Sequence, residues 1–203
     1  MSLVEARAAD LRAALDRIGN LDGAMELAAA AIAGSFRAGG KLLAAGNGGS
    51  AAEAQHLTGE FVGRLVPSRE RAALPAVALH ADTSSLTAVA NDFGYDWVFA
   101  RQVEALGRAG DVLLVLSTSG ASANLVTAVD VANARHMVTV GLLGPGIRPL
   151  HERCAHVLAV ESPSMQVVQE CHLLLVHVLV EQVEELTAAW GATEEPRESR
   201  SSR

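Results

Sequence analysis

The sequence predicts an α/β fold: a five-stranded parallel sheet flanked by helices in three layers, with long helices at both ends. Two observations predict it. Short apolar runs alternate with helical patterns along the chain, and such alternation implies right-handed crossovers and a parallel sheet. Two of those runs end in loops of small and polar residues that open a helix, at Gly46-Asn47-Gly48-Gly49-Ser50 and Ser117-Thr118-Ser119-Gly120-Ala121-Ser122. In a parallel sheet both loops lie at the carboxyl edge, where open α/β folds bind ligands.

In order along the chain, an amphipathic helix is expected over residues 2–37, with a break near Gly19–Gly23. Strands are expected at Lys41–Ala45, Ala76–Leu79, Val112–Leu116, Met137–Leu142 and His156–Val160. Helices separate them at Ser50–Arg64, at Ser84–Asn91 with Tyr95–Leu106, at Ser122–Arg135, and in a short turn near Pro149–Arg153. A last helix, residues 164–190, is strongly apolar in Leu173-Leu174-Leu175-Val176 and Val178-Leu179-Val180. A helix that apolar is either central in the monomer or packed against another subunit. Residues 1–192 read as one domain. The tail 193–203, rich in Glu, Arg and Ser, reads as disordered.

Composition narrows the function. The 203 residues are ample for one complete core. A net charge of −7 without a basic run argues against nucleic acid as the main ligand. No run approaches the roughly 18 apolar residues of a membrane span, and the start lacks the apolar core of a signal peptide, so a cytoplasmic location is expected. Cys154 and Cys171 lack metal-knuckle spacing and are expected to be buried free thiols.

The two loops carry the chemistry. A strand that ends in glycines and opens a helix presents free N–H groups and a positive dipole end, which suits phosphate. By itself the glycine loop is ambiguous. It can be a tight turn without ligand, and Gly46-x-Gly48-x-x-Ala51 also satisfies a dinucleotide fingerprint. That fingerprint requires an acidic residue about 20 positions on; here the next strand ends later, at His80 and Asp82. No Lys-Ser or Lys-Thr follows the glycines, which excludes a nucleoside-triphosphate P-loop. The second loop shifts the balance. Ser117, Thr118, Ser119 and Ser122 place four hydroxyls in six positions, more than a helix cap requires. His56 and Glu60, four residues apart on the helix after the glycine loop, share one face. On the last helix, His172 reads as a hydrogen-bonded core histidine. His177 interrupts an apolar stretch, where an ionisable group costs free energy unless it has a partner or a role. Gln169 suits either a surface or a site.

Gly46-Asn47-Gly48-Gly49-Ser50-Ala51-Ala52-Glu53-Ala54-Gln55-His56, Asn91-Asp92-Phe93-Gly94, Leu116-Ser117-Thr118-Ser119-Gly120 and Gln169-Glu170-Cys171-His172 with His177 resemble the phosphoheptose isomerases, enzymes built on a sugar-isomerase (SIS) domain. The resemblance spans nearly the whole chain except the tail. It implies an aldose–ketose isomerase that interconverts sedoheptulose 7-phosphate and glycero-manno-heptose 7-phosphate through an enediol. By the same resemblance Asn47, Gly48, Gly49, Asn91 and Asp92 would contact substrate. Ser117, Thr118, Ser119 and Ser122 would hold the phosphate. Glu60 would be the base and His177 the partner acid/base. Zinc would be bound by His56, Glu60, Gln169 and His177, with Gln169 and Glu60 also touching substrate. Glu60 cannot obviously be both a tight ligand and a free base, and the base role ranks first.

Gln169 and His177 are eight residues apart, about 12 Å along one helix. The expectation from that spacing is a site shared between subunits, with His177 supplied by a neighbour of the chain that supplies Glu60. The homotetramers of the family agree with it. The sequence departs from the family at Val167-Val168 and in the loop Leu143-Gly144-Pro145-Gly146-Ile147-Arg148-Pro149. Two other classes fit parts of the pattern: a non-catalytic SIS protein that associates with the replication initiator, and a phosphosugar-sensing module. Glu60 and His177 favour the enzyme over the first. The second is normally fused to a DNA-binding domain, which is not seen here.

Overall fold

The computed structural model describes residues 1–188; the expected end of the last helix at Trp190 and the tail from Thr193 lie outside them. The elements run α1 (Leu3–Ile18), α2 (Asp22–Arg37), β1 (Leu42–Gly46), α3 (Gly49–Val62), β2 (Ala76–Ala78), α4 (Thr83–Phe93), α5 (Ala100–Leu106), β3 (Val112–Ser117), α6 (Ala123–Ala134), β4 (Val138–Leu143), α7 (Pro149–Arg153), β5 (His156–Ala159) and α8 (Met165–Thr187). All four strand pairings are parallel, in the order β2-β1-β3-β4-β5. The strand order reverses between β1 and β3, so the crevice of this doubly wound sheet opens between the loops that follow those two strands.

The first helical stretch is two helices. Ser2 and Glu5 form a reciprocal capping box at the start of α1. A 3-10 turn over Gly19–Leu21 then separates α1 from α2. Gly94, at φ +87°, ends α4 ahead of a second 3-10 turn, Tyr95–Trp97, that leads toward α5. Only a residue free of Cβ strain takes that conformation readily.

The central strands β1 and β3 read as unbroken apolar runs because both of their faces are buried. Leu42, Ala44, Leu114 and Leu116 face α2, α3 and α8 in one core with Ile32, Phe36, Leu57, Phe61, Val176 and Leu179. Leu43, Ala45, Leu113 and Val115 face the other way, against Val98, Phe99, Val103, Leu125, Val129 and Leu150. Each buried Leu, Ile or Phe contributes about 1.5–3 kcal/mol. At the amino edge, the buried Asp111 accepts from the Lys41 ammonium at 2.6 Å and from the Lys41 and Arg108 amides at 2.9 Å, which ties β1 to β3. No helix among the described residues is long and apolar enough to cross a membrane. Cys154 and Cys171 are free and buried, as expected.

Candidate active site

The loops after β1 and β3 meet at the reversal of strand order. The Asn47 and Asn124 side-chain amides exchange two hydrogen bonds of 2.9 Å each, and the Tyr95 hydroxyl donates to Asn47 Oδ1 at 3.3 Å. Gly48, at φ +56°, makes the turn into α3. In the second loop Ser117 Oγ accepts from the Gly120 amide at 3.0 Å and lies 3.3 Å from Ser119 Oγ. Ser122 occupies the N-cap position of α6, yet its side chain makes no cap hydrogen bond. Among the described residues its hydroxyl and the Ala123 and Asn124 N–H groups have no hydrogen-bond partner, which leaves them for an anion. Gly144 permits close approach from below: a Cβ there would sit 1.9 Å from the Thr118 carbonyl oxygen.

The residues expected to act as base and acid, with His56, lie where α3 faces α8. His56 Nε2 is 2.9 Å from His177 Nε2 and 3.6 Å from Glu60 Oε1. The ring planes of the two histidines are edge-on at 67°. At that distance one imidazole can donate to the other beside the Glu60 carboxylate, the direction depending on the tautomer. Toward the start of both helices, the Gln169 amide covers Gly49 closely enough that a Cβ would meet Nε2 at 2.0 Å. Between these two contacts opens a cavity of about 460 Å³, lined by Gly49, Glu53, His56, Gln166 and Gln169 among others.

A family model for the SIS domain matches residues 8–144. A phosphoheptose isomerase of Bradyrhizobium is 47% identical over 182 residues, which is 90% of each chain. The chain belongs to the phosphoheptose isomerase family of SIS domains. A second relative, from Streptomyces coelicolor, is 57% identical over 148 residues, 73% of this chain, and the match spans only 63% of that protein's length. Among solved structures, the phosphoheptose isomerase of Neisseria gonorrhoeae superposes with a TM-score of 0.84 at 40% identity, covering 90% of this chain and 97% of that one.

Against the sequence reading, one chain brings together His56, Glu60 and His177, and sets Gln169 against Gly49. This corrects the expectation that His177 must come from a neighbour. Gly49 pairs with Gln169 and His56 with His177, so α3 and α8 run in the same direction. The roughly 12 Å between Gln169 and His177 is matched by about 10.5 Å between Gly49 and His56 on α3. Neither residue has to reach across that distance. Asn91 and Asp92 are exposed at the end of α4, and their only side-chain hydrogen bond among the described residues is to each other, at 2.7 Å. His172 is fully buried with Nε2 3.2 Å from the Leu143 carbonyl oxygen, the core histidine that was expected. Burial pushes its pKa down to about 4.

The four residues expected to bind zinc fit in type, with two imidazoles, a carboxylate and an amide oxygen. Their placement is less complete. Among the described residues no three His, Cys, Asp or Glu side chains are arranged to hold a metal ion, and the Gln169 amide lies over Gly49.

Three sets of contributors were not read from the sequence. Asn124 and Tyr95 fix Asn47. Arg71 fixes the end of α3 by donating to the Glu60 carbonyl at 2.7 Å and the Phe61 carbonyl at 2.8 Å, while it pairs at 2.8 Å with the fully buried Glu184 of α8. Glu53 is the third. Gly49, Glu53, His56 and Glu60 follow i, i+4, i+7, i+11 spacing, and that stripe was available as a signal.

Proposed function

We propose that this chain isomerises sedoheptulose 7-phosphate to D-glycero-D-manno-heptose 7-phosphate through an enediol. The observation that carries the reading is the convergence of Glu60, His56 and His177 beside a cavity between α3 and α8. A partner-binding SIS protein has no use for such a cluster.

Moving a carbonyl between C1 and C2 requires a base to take the proton next to the carbonyl and an acid to protonate its oxygen. Glu60 is suited to the first task, since its carboxylate is about one-fifth exposed and, among the described residues, pairs with no lysine or arginine. His177, with its Nε2 within hydrogen-bond distance of His56 Nε2, is suited to the second, because the neighbouring imidazole can support it as it gives up a proton. The phosphate is assigned to the Ser117, Thr118, Ser119 and Ser122 loop at the start of α6. The sugar then extends across Asn47, Gly48 and Gly49 toward Gln169, with Asn91 and Asp92 at the rim. Zinc belongs to this reading through the resemblance: His56, Glu60 and His177 of one chain would hold it, and Gln169, which lies against Gly49 in its own chain, would have to come from a second copy. When bound it would polarise the substrate oxygens.

The protein is further proposed to be a homotetramer. Leu3 and Val4 of α1, with Met165, Leu173 and Leu174 of α8, expose apolar surface that a second copy would cover. Sedimentation at a single-subunit mass would overturn that part alone. For the reaction, wild-type protein should convert sedoheptulose 7-phosphate to an aldose. Glu60→Gln should stay folded and lose roughly 10²–10⁴-fold in turnover. Near-normal turnover in that variant would remove Glu60 from the mechanism.

A further inference from the structure

Glu53 is unexplained by the roles assigned so far. It is 7% exposed, and its Oε2 is buried with no hydrogen-bond partner among the described residues. It lines the cavity between α3 and α8 together with Gly49, His56, Gln166 and Gln169, and among the described residues no lysine or arginine lines that cavity. A carboxyl group held away from water without a partner costs free energy that methionine or leucine would not. Burial without compensation pushes its pKa up to about 7. Buried polar groups without partners are rare in folded proteins, and a ligand is one of the few things that satisfies them.

We propose that Glu53 is a substrate-binding residue whose carboxyl group hydrogen-bonds a hydroxyl of the sugar chain in this cavity. This rests on the phosphosugar reading above. Glu53 stands one helical turn beyond Gly49 and one turn before His56. A sugar that reaches from the glycine loop to the acid/base cluster must therefore pass it. An open-chain heptose carries hydroxyls on carbons that take no part in the isomerisation, and each must exchange water for a protein partner on entry. A carboxyl is suited to such a hydroxyl because it accepts through either oxygen when ionised and also donates when protonated. The cavity volume is within the range of small-molecule sites.

The test compares wild type with Glu53→Met, which keeps length and removes polarity, and Glu53→Gln, which keeps hydrogen bonding. Glu53→Ala covers the case in which methionine does not pack. Calorimetry with sedoheptulose 7-phosphate and with inorganic phosphate is combined with steady-state kinetics. Glu53→Met should melt no lower than wild type. It should raise KM and Kd for the sugar phosphate roughly ten- to a hundredfold, change kcat much less, and leave inorganic phosphate binding unchanged. Glu53→Gln should recover most of the lost affinity. A deoxy analogue lacking the contacted hydroxyl should bind wild type and Glu53→Met alike. Unchanged KM and Kd in a folded Glu53→Met or Glu53→Ala protein overturns the proposal while the isomerase reading stands. An equal loss of sugar phosphate and inorganic phosphate also overturns it, because the residue would then support the whole site structurally. Wild-type protein that neither binds nor converts the sugar overturns both.

Discussion

Replacing Gly49 by alanine separates what the fold needs from what the site needs. The position is the first residue of α3 and its φ is not in the left-handed region, so the backbone accepts alanine. The new Cβ would stand 2.0 Å from Gln169 Nε2 and 2.7 Å from both Cδ and Oε1. Non-bonded carbons and nitrogens rest at about 3.5–4.0 Å, so the amide must retreat by roughly 1.5 Å. It is the far end of a flexible side chain on α8, and the move is cheap for stability. Alanine in place of glycine gains up to about 1 kcal/mol of helix propensity, so the melting temperature should hold or rise by about 2–4 °C. Catalysis should suffer, because misplacing a positioning group by about 1 Å can cost 10²-fold. Thermal melts and kcat/KM on the same preparations provide the assay. Adding Gly49→Ala to Gln169→Ala should cost little beyond Gln169→Ala alone, since both act through one amide. Wild-type kcat/KM in a folded Gly49→Ala protein would refute the placement of Gln169 in the site.

Two further outcomes are expected. Replacing Ser119 and Ser122 together by alanine should weaken phosphorylated ligands far more than the free sugars, measured by calorimetry, whereas equal weakening would reduce the loop to structural turns. His172 should make the protein acid-sensitive: its ordinary pKa of 6.5 falls to about 4 on burial, so the unfolded chain binds more protons between those values. Stability is then complete above pH 6.5 and declines toward pH 4, by about 3 kcal/mol from this residue. Denaturant melts across that range should show the decline in wild type and a shallower one in His172→Gln, and identical slopes would exclude His172 as the cause.

The sheet was legible because its central strands are buried on both faces, so Leu42–Ala45 and Val112–Leu116 stand out as continuous runs. The loops were legible because glycines and hydroxyls cluster at strand ends, where local composition carries the signal. The pairing of α3 with α8 was not. Nothing within Gln169–His177 indicates what lies beside that helix, and a spacing that looked too wide for one site became ordinary once α3 ran alongside it. Glu53 was hidden for a related reason: a glutamate in a helix reads as solvated until the packing of a distant helix buries it. The Arg71–Glu184 pair likewise joins residues far apart in sequence through a contact that only the folded chain creates.

The central claim, proton abstraction by Glu60 next to the sugar carbonyl, is tested most directly by running the reaction in deuterium oxide and following product by NMR. Wild-type protein given sedoheptulose 7-phosphate should yield an aldose heptose 7-phosphate that carries solvent deuterium at C2. Recovered ketose should gain deuterium at C1, and Glu60→Gln should abolish both signals while phosphosugar binding persists. Full binding by wild type with neither product nor deuterium incorporation would contradict the account.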